Sequence, residues 1–416
     1  MCRFCAARWV DEMKNKISIE EAQNILLNLE AAPGTQTVPI TEAMGRVCAV
    51  DFYTKIAMPP FDRSPFDGYA FVAEDTENAS KENPVTLKIN QEIPAGEFPE
   101  FDICSGYAAK ILTGAPIPKG ANTVIKYEET GYTETEVKIF GKVKPGSNIV
   151  KKGEDLAEGV KVIDKGTVIT YAMLGMFASQ ATTEISVFEK PIITVINTGS
   201  ELVSPDDPLP PGKIYNSSIF NLRGFIGELG ATFKDGGVVA DEKDLIKERI
   251  REHLYGSDII ITTGGASVGD YDFALGAAES DGGEVLFWKT AMKPGGAMLA
   301  YLLEGKLIFA LAGNPGSSII GLLRIGLPYI RKLCGRNDLF LDECEVYLKH
   351  DFDKTSERTR ILRGNLEIEK GKAFFVESGP QGGGDISSLI NCDMICEIPA
   401  GSPKLSAGAM VKAYRL

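Results

Sequence analysis

Three glycine-bearing stretches in the second half of the sequence contain the side chains best suited to bind a charged ligand. Residues 264–272 read GGASVGDYD and end in Asp270 and Asp272, whose carboxylates suit a cation or a helix cap. The second stretch places Lys289 and Lys293 beside a Pro-Gly turn, and the third, at 312–318, reads AGNPGSS. Because glycine lets the backbone approach a ligand closely, the three stretches predict a ligand cleft.

The surrounding elements predict how these stretches are positioned. Apolar runs at 259–263 and 307–311 precede the first and third stretch, and the loop NTGSEL at 197–202 follows another apolar run. The charged segment after Asp241 predicts a helix that this residue caps. Alternating strands and helices over 191–334 indicate an α/β domain with a doubly wound parallel sheet, whose carboxyl edge would carry the cleft.

Length and charge narrow the class of protein. The chain has 416 residues, of which 44% are hydrophobic and 24% charged, so we expect a globular protein of two to four domains. Its net charge of −13 argues against non-specific nucleic-acid binding. No apolar run has the length of a membrane helix, and the N-terminus lacks the apolar core of a signal peptide. We therefore expect a cytoplasmic protein without a membrane or nucleic-acid partner, with its eight cysteines mostly reduced.

Cysteine and histidine offer little catalytic chemistry. A four-thiolate zinc site and free thiols are the two interpretations of two loosely spaced pairs, Cys2 with Cys5 and Cys392 with Cys396. The two histidines, His253 and His350, lie among charged residues, which predicts surface positions. Carboxylates and lysines must therefore carry the chemistry.

The N-terminal part contains one further candidate loop. Residues 58–70 include three prolines, which fix an extended or turning path, and two carboxylates, Asp62 and Asp67. The loop is either a rigid linker with turn-forming aspartates or the acidic wall of a site. Ser18 and Glu21, upstream, have the spacing of a capping box and predict the start of a helix.

Five loops, taken in order, resemble the molybdopterin molybdenumtransferases, the family of MoeA and the gephyrin E domain. The resemblance covers about residues 18–416. The loops are PPFD through FDGYA at 59–70, LTGAP at 112–116, NTGSEL at 197–202, TGGASVG at 263–269 and GNP at 313–315.

The resemblance implies four domains and a homodimer whose site is shared between subunits. The first domain would combine 1–57 with 142–190, and 58–141 would form an outlying β-rich domain. Residues 191–334 would form the molybdopterin-binding domain, and 335–416 a small C-terminal β-barrel domain. The molybdopterin-adenylylating protein and recipient molybdoenzymes are further possible partners.

The resemblance also implies the reaction. The family takes adenylylated molybdopterin and molybdate, releases AMP with the help of Mg²⁺, and leaves the metal on the dithiolene. The catalytic residues would be Asp67, Thr113, Glu201, Asp241, Asp272, Lys289 and Lys293, with Asp67 and Thr113 supplied by the neighbouring subunit. Pterin would contact Thr198, Gly199, Asn216, Ser217, Gly264, Gly265, Ser267, Gly313, Asn314 and Pro315. The Mg²⁺ ligands would come from Glu201, Asp241, Glu242, Asp270 and Asp272.

Simpler roles exist for several of these residues. Asp241 could only cap a helix, and Glu201 could only close a turn. Lys289 and Lys293 could be solvated, and the Asn-Pro pair after Gly313 could only form a loop.

Three positions depart from the family pattern. The turn after Lys293 reads Pro-Gly-Gly-Ala where the family has Pro-Gly-Lys-Pro, so Gly296 replaces a cation. Gly316 replaces a valine and Gly383 a serine, which suggests looser loops and weaker anion binding. A tungstate-preferring insertase and a non-catalytic pterin carrier are therefore alternatives. A competence-damage-type hydrolase is a third, against which the FDGYA loop and the C-terminal β domain argue.

Overall fold

The computed structural model describes residues 15–264 and 273–416. These divide into two compact units. The larger contains the residues up to Val50 together with Lys165–Leu174 and Glu184–Leu416, and the smaller contains Asp51–Asp164 and Gly175–Thr183. The predicted division into four domains stays a prediction.

The α-helices of the described residues are short. In chain order they are α1 (Ile19–Leu27), α2 (Tyr171–Ser179), α3 (Ser218–Glu228), α4 (Lys243–Leu254), α5 (Phe273–Ser280), α6 (Pro315–Gly321), α7 (Leu327–Leu333) and α8 (Ser387–Ile390). A π-helical turn, Leu322–Gly326, joins α6 to α7, and 3₁₀ turns form at Ile40–Glu42, Ala73–Thr76 and Tyr127–Glu129. Not one of the helices within the described residues is both long and apolar enough to span a bilayer.

Most of the regular structure is β. The strands of the first half are β1 (Asn15–Ile17), β2 (Thr35–Pro39), β3 (Phe52–Tyr53), β4 (Gly68–Phe71), β5 (Val85–Ile93), β6 (Tyr107–Ile111), β7 (Thr123–Lys126), β8 (Thr130–Tyr132), β9 (Glu136–Ile139), β10 (Lys161–Ile163), β11 (Glu184–Phe188) and β12 (Ile192–Thr198). Those of the second half are β13 (Leu202–Val203), β14 (Ile214–Tyr215), β15 (Thr232–Val239), β16 (Ile259–Thr263), β17 (Glu284–Thr290), β18 (Met292–Lys293), β19 (Met298–Leu303), β20 (Lys306–Leu311), β21 (Glu343–Leu348), β22 (Thr359–Glu369), β23 (Lys372–Glu377), β24 (Met394–Ile398) and β25 (Met410–Arg415).

The central sheet of the larger unit has the strand order β1-β17-β19-β20-β16-β12-β15. The four strands β20, β16, β12 and β15 are parallel, as the alternating pattern predicts. The sheet as a whole is mixed, because β19 pairs antiparallel with both β17 and β20. Glu304 and Gly305, with φ of 49° and 78°, form the two-residue turn that joins β19 to β20 as a hairpin. The α/β multidomain fold class is confirmed, with this antiparallel insertion as a refinement of the predicted sheet.

Helices cover both faces of the sheet. Ile259 and Ile261 of β16 belong to a core that also contains apolar residues of α1 and α3, whereas Ile260 belongs to a second core with α4 and α5. Alternate residues of one strand are thus buried on opposite faces, which explains its unbroken apolar sequence. Ser18 begins α1 as predicted, since the Glu21 N–H donates to its Oγ at 3.0 Å.

The C-terminal strands form the predicted small barrel. Its order is β18-β22-β23-β21-β25-β24, and β22 also pairs with β24, which closes the barrel. β18 contributes Lys293, which pairs in parallel register with Arg360 of β22. A candidate-site residue therefore lies on the strand that joins this barrel.

The smaller unit contains a six-stranded sheet of order β7-β4-β6-β5-β9-β8. Phe71, Leu87 and Ile139 are among the fully buried side chains of its core. The predicted 58–70 loop is wrong at its end: the chain reaches β4 at Gly68, so Gly68, Tyr69 and Ala70 are buried strand residues and the loop ends at Asp67.

Candidate functional site

The parallel strands bring the predicted glycine loops together. Asn197 of β12 pairs with Thr263 of β16, and Thr263 pairs with Leu311 of β20, so the three carboxyl ends lie side by side. The N–H of Gly264 donates to the carbonyl of Leu311 at 3.0 Å. A Cβ on Gly313 would lie 3.5 Å from the Cα of Gly264. Gly265, Ser267, Asp270 and Asp272 belong to the same predicted loop but lie outside the described residues.

Gly264 has to be glycine because of its neighbour Thr198. Its φ is 103°, and a Cβ there would overlap the hydroxyl oxygen of Thr198. That hydroxyl donates to the Asp241 carboxylate at 2.7 Å. The bond links the end of β12 to Asp241, two residues beyond the end of β15.

The predicted capping role of Asp241 is wrong. Helix α4 begins at Lys243 with Glu242 in the N-cap position, and no side chain caps it. Asp241 precedes that position and is engaged by Thr198 instead. One carboxylate oxygen thus accepts a bond that orients the group beside the glycine loops, which favours the predicted site role over the structural one.

The Glu201 carboxylate lies close to Gly199 of the same loop. A Cβ on Gly199, whose φ is 144°, would come within 2.6 Å of the Glu201 carboxylate. The Leu202 N–H donates to the Gly199 carbonyl at 3.3 Å, which closes a turn, and the Gly199 N–H donates to the Val239 carbonyl. Glu201 and Asp241 therefore follow the neighbouring parallel strands β12 and β15. The loop that contains Glu201 is closed by a backbone turn, and its carboxylate takes no part in that turn.

The two predicted lysines differ in their surroundings. The Nζ of Lys289 lies 3.6 Å from the centre of the Trp288 ring, in a cation–π contact, and Lys289 has a φ of 64°. Lys293 is exposed on β18. Neither lysine forms an ion pair with a residue of the described chain, so both charges are available to an anionic ligand.

Gly296 occupies a place that a side chain cannot enter. A Cβ there would overlap the carbonyl oxygen of Met292 and lie 2.6 Å from that of Thr290. The Thr290 N–H donates to the Gly296 carbonyl at 2.9 Å. A lysine at this position is therefore incompatible with this backbone.

Asn216 and Asn314 approach the site from two helix starts. Asn314 is the N-cap residue of α6 and Pro315 is its first residue. Asn216 is buried, and its Oδ1 accepts from the Ile219 N–H at 3.4 Å. Ser217 is the N-cap residue of α3, and its neighbour Ser218 donates to the Gly313 carbonyl at 3.4 Å. The structure thus places the predicted pterin-contact loops next to each other.

Asn197 is a site residue that the sequence reasoning missed. It is fully buried, its Nδ2 donates to the Thr263 hydroxyl at 2.5 Å, and its Oδ1 has no partner within the described part of the chain. An amide among the apolar residues of β12 was the available signal. The Asn197 amide therefore links the carboxyl ends of strands β12 and β16, directly before the predicted site loops.

Asp67 and Thr113 meet in the smaller unit. One carboxylate oxygen of Asp67 accepts from both the hydroxyl and the N–H of Thr113, each at 2.7 Å. These bonds, first that of the hydroxyl, lower the pKa of Asp67 below its ordinary value. Asp62 differs, because Lys151 and the Lys152 N–H both engage it at 2.8 Å. Asp62 therefore braces the loop, whereas Asp67 is an exposed carboxylate held ionised.

The two histidines lie outside this constellation. His350 is exposed, as predicted, whereas His253 is half-buried, and burial lowers its pKa. The Cys396 thiol is buried and Cys392 donates to the Met394 carbonyl at 3.3 Å. Cys2 and Cys5 lie outside the described residues.

Known proteins match most of the chain. Family models match at residues 17–181 (MoeA N-terminal region, domain I and II), 194–332 (probable molybdopterin binding domain) and 345–416 (MoeA C-terminal region, domain IV). The molybdopterin molybdenumtransferase of Bacillus subtilis strain 168 is 33% identical over 96% of this chain and 94% of its own length. That of Staphylococcus aureus strain MSSA476 is 32% identical over 97% and 96%. The chain belongs to the MoeA family of molybdopterin molybdenumtransferases.

The solved structures agree with this assignment. A molybdopterin biosynthesis MoeA protein from Pyrococcus horikoshii superposes with a TM-score of 0.82 at 32% identity, over 96% of this chain and 99% of that one. The MoeA-family chain is therefore an enzyme of molybdenum cofactor biosynthesis, and molybdopterin is its substrate. A competence-damage-type hydrolase does not account for the matches at 17–181 and 345–416.

The donor set at the strand ends fits Mg²⁺. Magnesium takes oxygen ligands, commonly one or two carboxylates together with water and substrate phosphate. Glu201 and Asp241 supply such carboxylates, and Glu242 follows directly. Within residues 15–264 and 273–416 no group of three metal-ligating side chains is found, and the predicted ligands Asp270 and Asp272 lie outside these residues.

Proposed function

We propose that this MoeA-family enzyme takes adenylylated molybdopterin and molybdate, releases AMP in a Mg²⁺-dependent step, and leaves the metal on the dithiolene. The observation that carries the proposal is that the carboxyl ends of β12, β16 and β20 lie side by side, with the Thr198–Asp241 bond next to them. Ligands of parallel α/β sheets bind at this edge.

The charges suit an anionic substrate. The chain carries a net charge of −13, so phosphate and oxyanion groups need local cations. Lys289 and Lys293 provide them, and the amides of the glycine loops add neutral donors that fit phosphate oxygens. These residues bind and orient the substrate at the carboxyl edge.

The carboxylates have a different task. Glu201 and Asp241 would hold Mg²⁺, with Glu242, Asp270 and Asp272 as further ligands expected from the family. The bound ion would offset negative charge on the phosphate that is cleaved. The Thr198 hydroxyl engages one oxygen of Asp241 and orients the carboxylate, and the second oxygen would be the one that holds the ion.

The assembly is also part of the proposal. Asp67 and Thr113 would come from the partner subunit of a homodimer and close the site. The Thr113 bonds that hold Asp67 ionised would then fix the orientation of the carboxylate that the partner supplies. We place the reaction in the cytoplasm, with an adenylylating protein upstream and molybdoenzymes as recipients.

The test is AMP release from adenylylated molybdopterin with Mg²⁺ and molybdate, tungstate or neither. We expect release that depends on an oxyanion and that falls at least tenfold in Lys289→Ala and in Asp241→Asn. Lys404→Ala, at an exposed position of the C-terminal segment, is the matched control and should retain the wild-type rate. Tight pterin binding without AMP release under any condition would instead establish a carrier.

The turn at Gly296 favours testing tungstate as the second oxyanion. Its backbone excludes the lysine found in the family, so the number of cations around the oxyanion differs. A faster release with tungstate than with molybdate would identify a tungstate-preferring insertase.

A further inference from the structure

The loop at residues 379–385 lies against the start of helix α6. The carbonyl of Gly383 accepts from the Ser317 N–H at 2.9 Å. A Cβ on Gly383 would lie 3.8 Å from the Asn314 side-chain amide, so the loop passes beside a residue expected to contact pterin. A segment of the C-terminal barrel domain therefore borders the substrate loop 313–315.

Gly316 and Gly383 are the two departures from the family pattern in this region, and a side chain at either position would collide with the segment that carries the other. A Cβ on Gly316 would lie 2.6 Å from the Arg363 guanidinium and 2.9 Å from the Gly383 carbonyl oxygen. A Cβ on Gly383 would overlap the Ser317 hydroxyl oxygen. Each glycine therefore allows the two backbones to approach, a role that the sequence analysis did not predict.

Arg363 binds the 379–385 loop through hydrogen bonds. Its side chain is fully buried, and its guanidinium donates to the carbonyls of Gly382 at 2.8 Å and Asp385 at 3.1 Å. Gln381 adds two bonds to the Arg363 backbone: its Oε1 accepts from the N–H at 2.8 Å and its Nε2 donates to the carbonyl at 2.9 Å. Burial lowers the pKa of Arg363.

This arrangement ties the loop to a buried cation. Within the part of the chain that the structure describes, Arg363 forms no ion pair with a carboxylate, so loop carbonyls are its main acceptors. Removing the loop from that position would leave a buried charge without hydrogen-bond acceptors, which is costly. The loop therefore has one strongly favoured position.

We propose that the 379–385 loop is a positioning element for the substrate loop, held by Arg363 and Gln381, and that Gly316 and Gly383 are the matched pair that lets it dock. The loop acts through Asn314 and the first turn of α6. This inference rests on the proposed function, because it assumes that residues 313–315 contact pterin.

The test compares one added methyl group at two adjacent positions. Gly383→Ala adds it where it meets Ser317, whereas Gly384→Ala adds it where the nearest atom, the Asn314 Oδ1, is 3.6 Å away. We expect Gly383→Ala to weaken the binding of metal-free molybdopterin, measured anaerobically by titration calorimetry, about tenfold. We expect Gly384→Ala to stay within about twofold of wild type.

A rescue variant separates steric docking from general loss of structure. Ser317→Ala removes the hydroxyl that a Cβ at position 383 would meet, and the next atoms lie at 3.6 Å or more. The Gly383→Ala/Ser317→Ala double variant should therefore recover most of the affinity, while the thermal midpoints of all variants stay close together.

Each outcome decides a different claim. If wild type does not bind molybdopterin, the proposed function fails. If wild type binds and Gly383→Ala binds equally well, the positioning role fails. Should Gly383→Ala not fold, Gln381→Ala removes the bonds between the Gln381 side chain and Arg363 without adding atoms, and wild-type affinity in that variant would overturn the inference.

Discussion

Replacing Gly296 by lysine restores the family's charge but conflicts with the backbone around it. The added Cβ would overlap the Met292 carbonyl oxygen and lie 2.6 Å from the Thr290 carbonyl oxygen. Both obstacles are backbone atoms, so a change of side-chain rotamer cannot relieve them. Inserting atoms into a packed site costs about 1–3 kcal/mol, and we expect Gly296→Lys to lose free energy of unfolding in this range.

The loss is measurable by thermal unfolding. One kcal/mol corresponds to about 2–4 °C in a domain of this size, so the midpoint should fall by about 2–12 °C. Calorimetric scans of wild type and variant at one scan rate give this difference. Titration with molybdate in the same buffer should show no gain in affinity, because the turn has to shift before the new ammonium group reaches the site.

The matched control adds the same charge where there is room. Gly224 is exposed on α3, and no atom lies within 4 Å of its Cβ position. Gly224→Lys should leave the midpoint unchanged or raise it slightly, because lysine is more favourable than glycine in a helix by about 0.5 kcal/mol or more. An unchanged midpoint in Gly296→Lys, together with tighter molybdate binding, would refute the steric reasoning.

Three further predictions follow from buried or bonded ionisable groups. Thr113→Val should raise the pKa of Asp67 towards its ordinary value, so an NMR titration should show the carboxyl protonating at higher pH. Glu397→Gln should cost about 3–5 kcal/mol in urea unfolding, because it removes the carboxylate that pairs with buried Arg324 at 2.5 Å. Burial raises the pKa of the Cys334 thiol to about 11, so a maleimide at pH 8 should not label it before the protein unfolds.

The prediction for Asp67 also has a consequence for stability, and the other two have controls in the chain. Because the pKa of Asp67 is lowered in the folded protein, the carboxylate stabilises the fold above the ordinary carboxyl pKa range. This stabilisation is lost as the pH falls through the folded-state pKa. In Thr113→Val that pKa is higher, so the loss should begin at a higher pH. Asp353→Asn breaks an exposed ion pair with Lys404 and should cost less than about 1 kcal/mol. Exposed Cys104 should react with maleimide in the folded protein. Equal effects of Glu397→Gln and Asp353→Asn, or labelling of folded Cys334, would contradict the burial argument.

Local pattern was enough to predict the elements of the site. Apolar runs marked β12, β16 and β20, and the glycines after them marked the loops, because strand burial and left-handed backbone both have sequence signatures. Order along the chain then placed the carboxyl ends at one edge. The hairpin between β19 and β20 was missed, because Glu304-Gly305 is not one of the strong two-residue turn signals.

Contacts between distant segments could not be predicted from one sequence. The bond from Thr198 to Asp241 joins residues on different loops, and a capping role for Asp241 was the simpler local interpretation. Gly316 and Gly383 likewise looked like independent losses of a side chain. Only the fold brings the two glycines together, and there Arg363 and Ser317 occupy the space that their side chains would need.

The most direct test of the proposed reaction is the ratio of AMP released to molybdenum retained on the pterin in a single turnover with Mg²⁺ and molybdate. The account predicts equal molar amounts of the two, with neither formed when the oxyanion is omitted. AMP release at the same rate without any oxyanion, leaving no metal on the pterin, would contradict it.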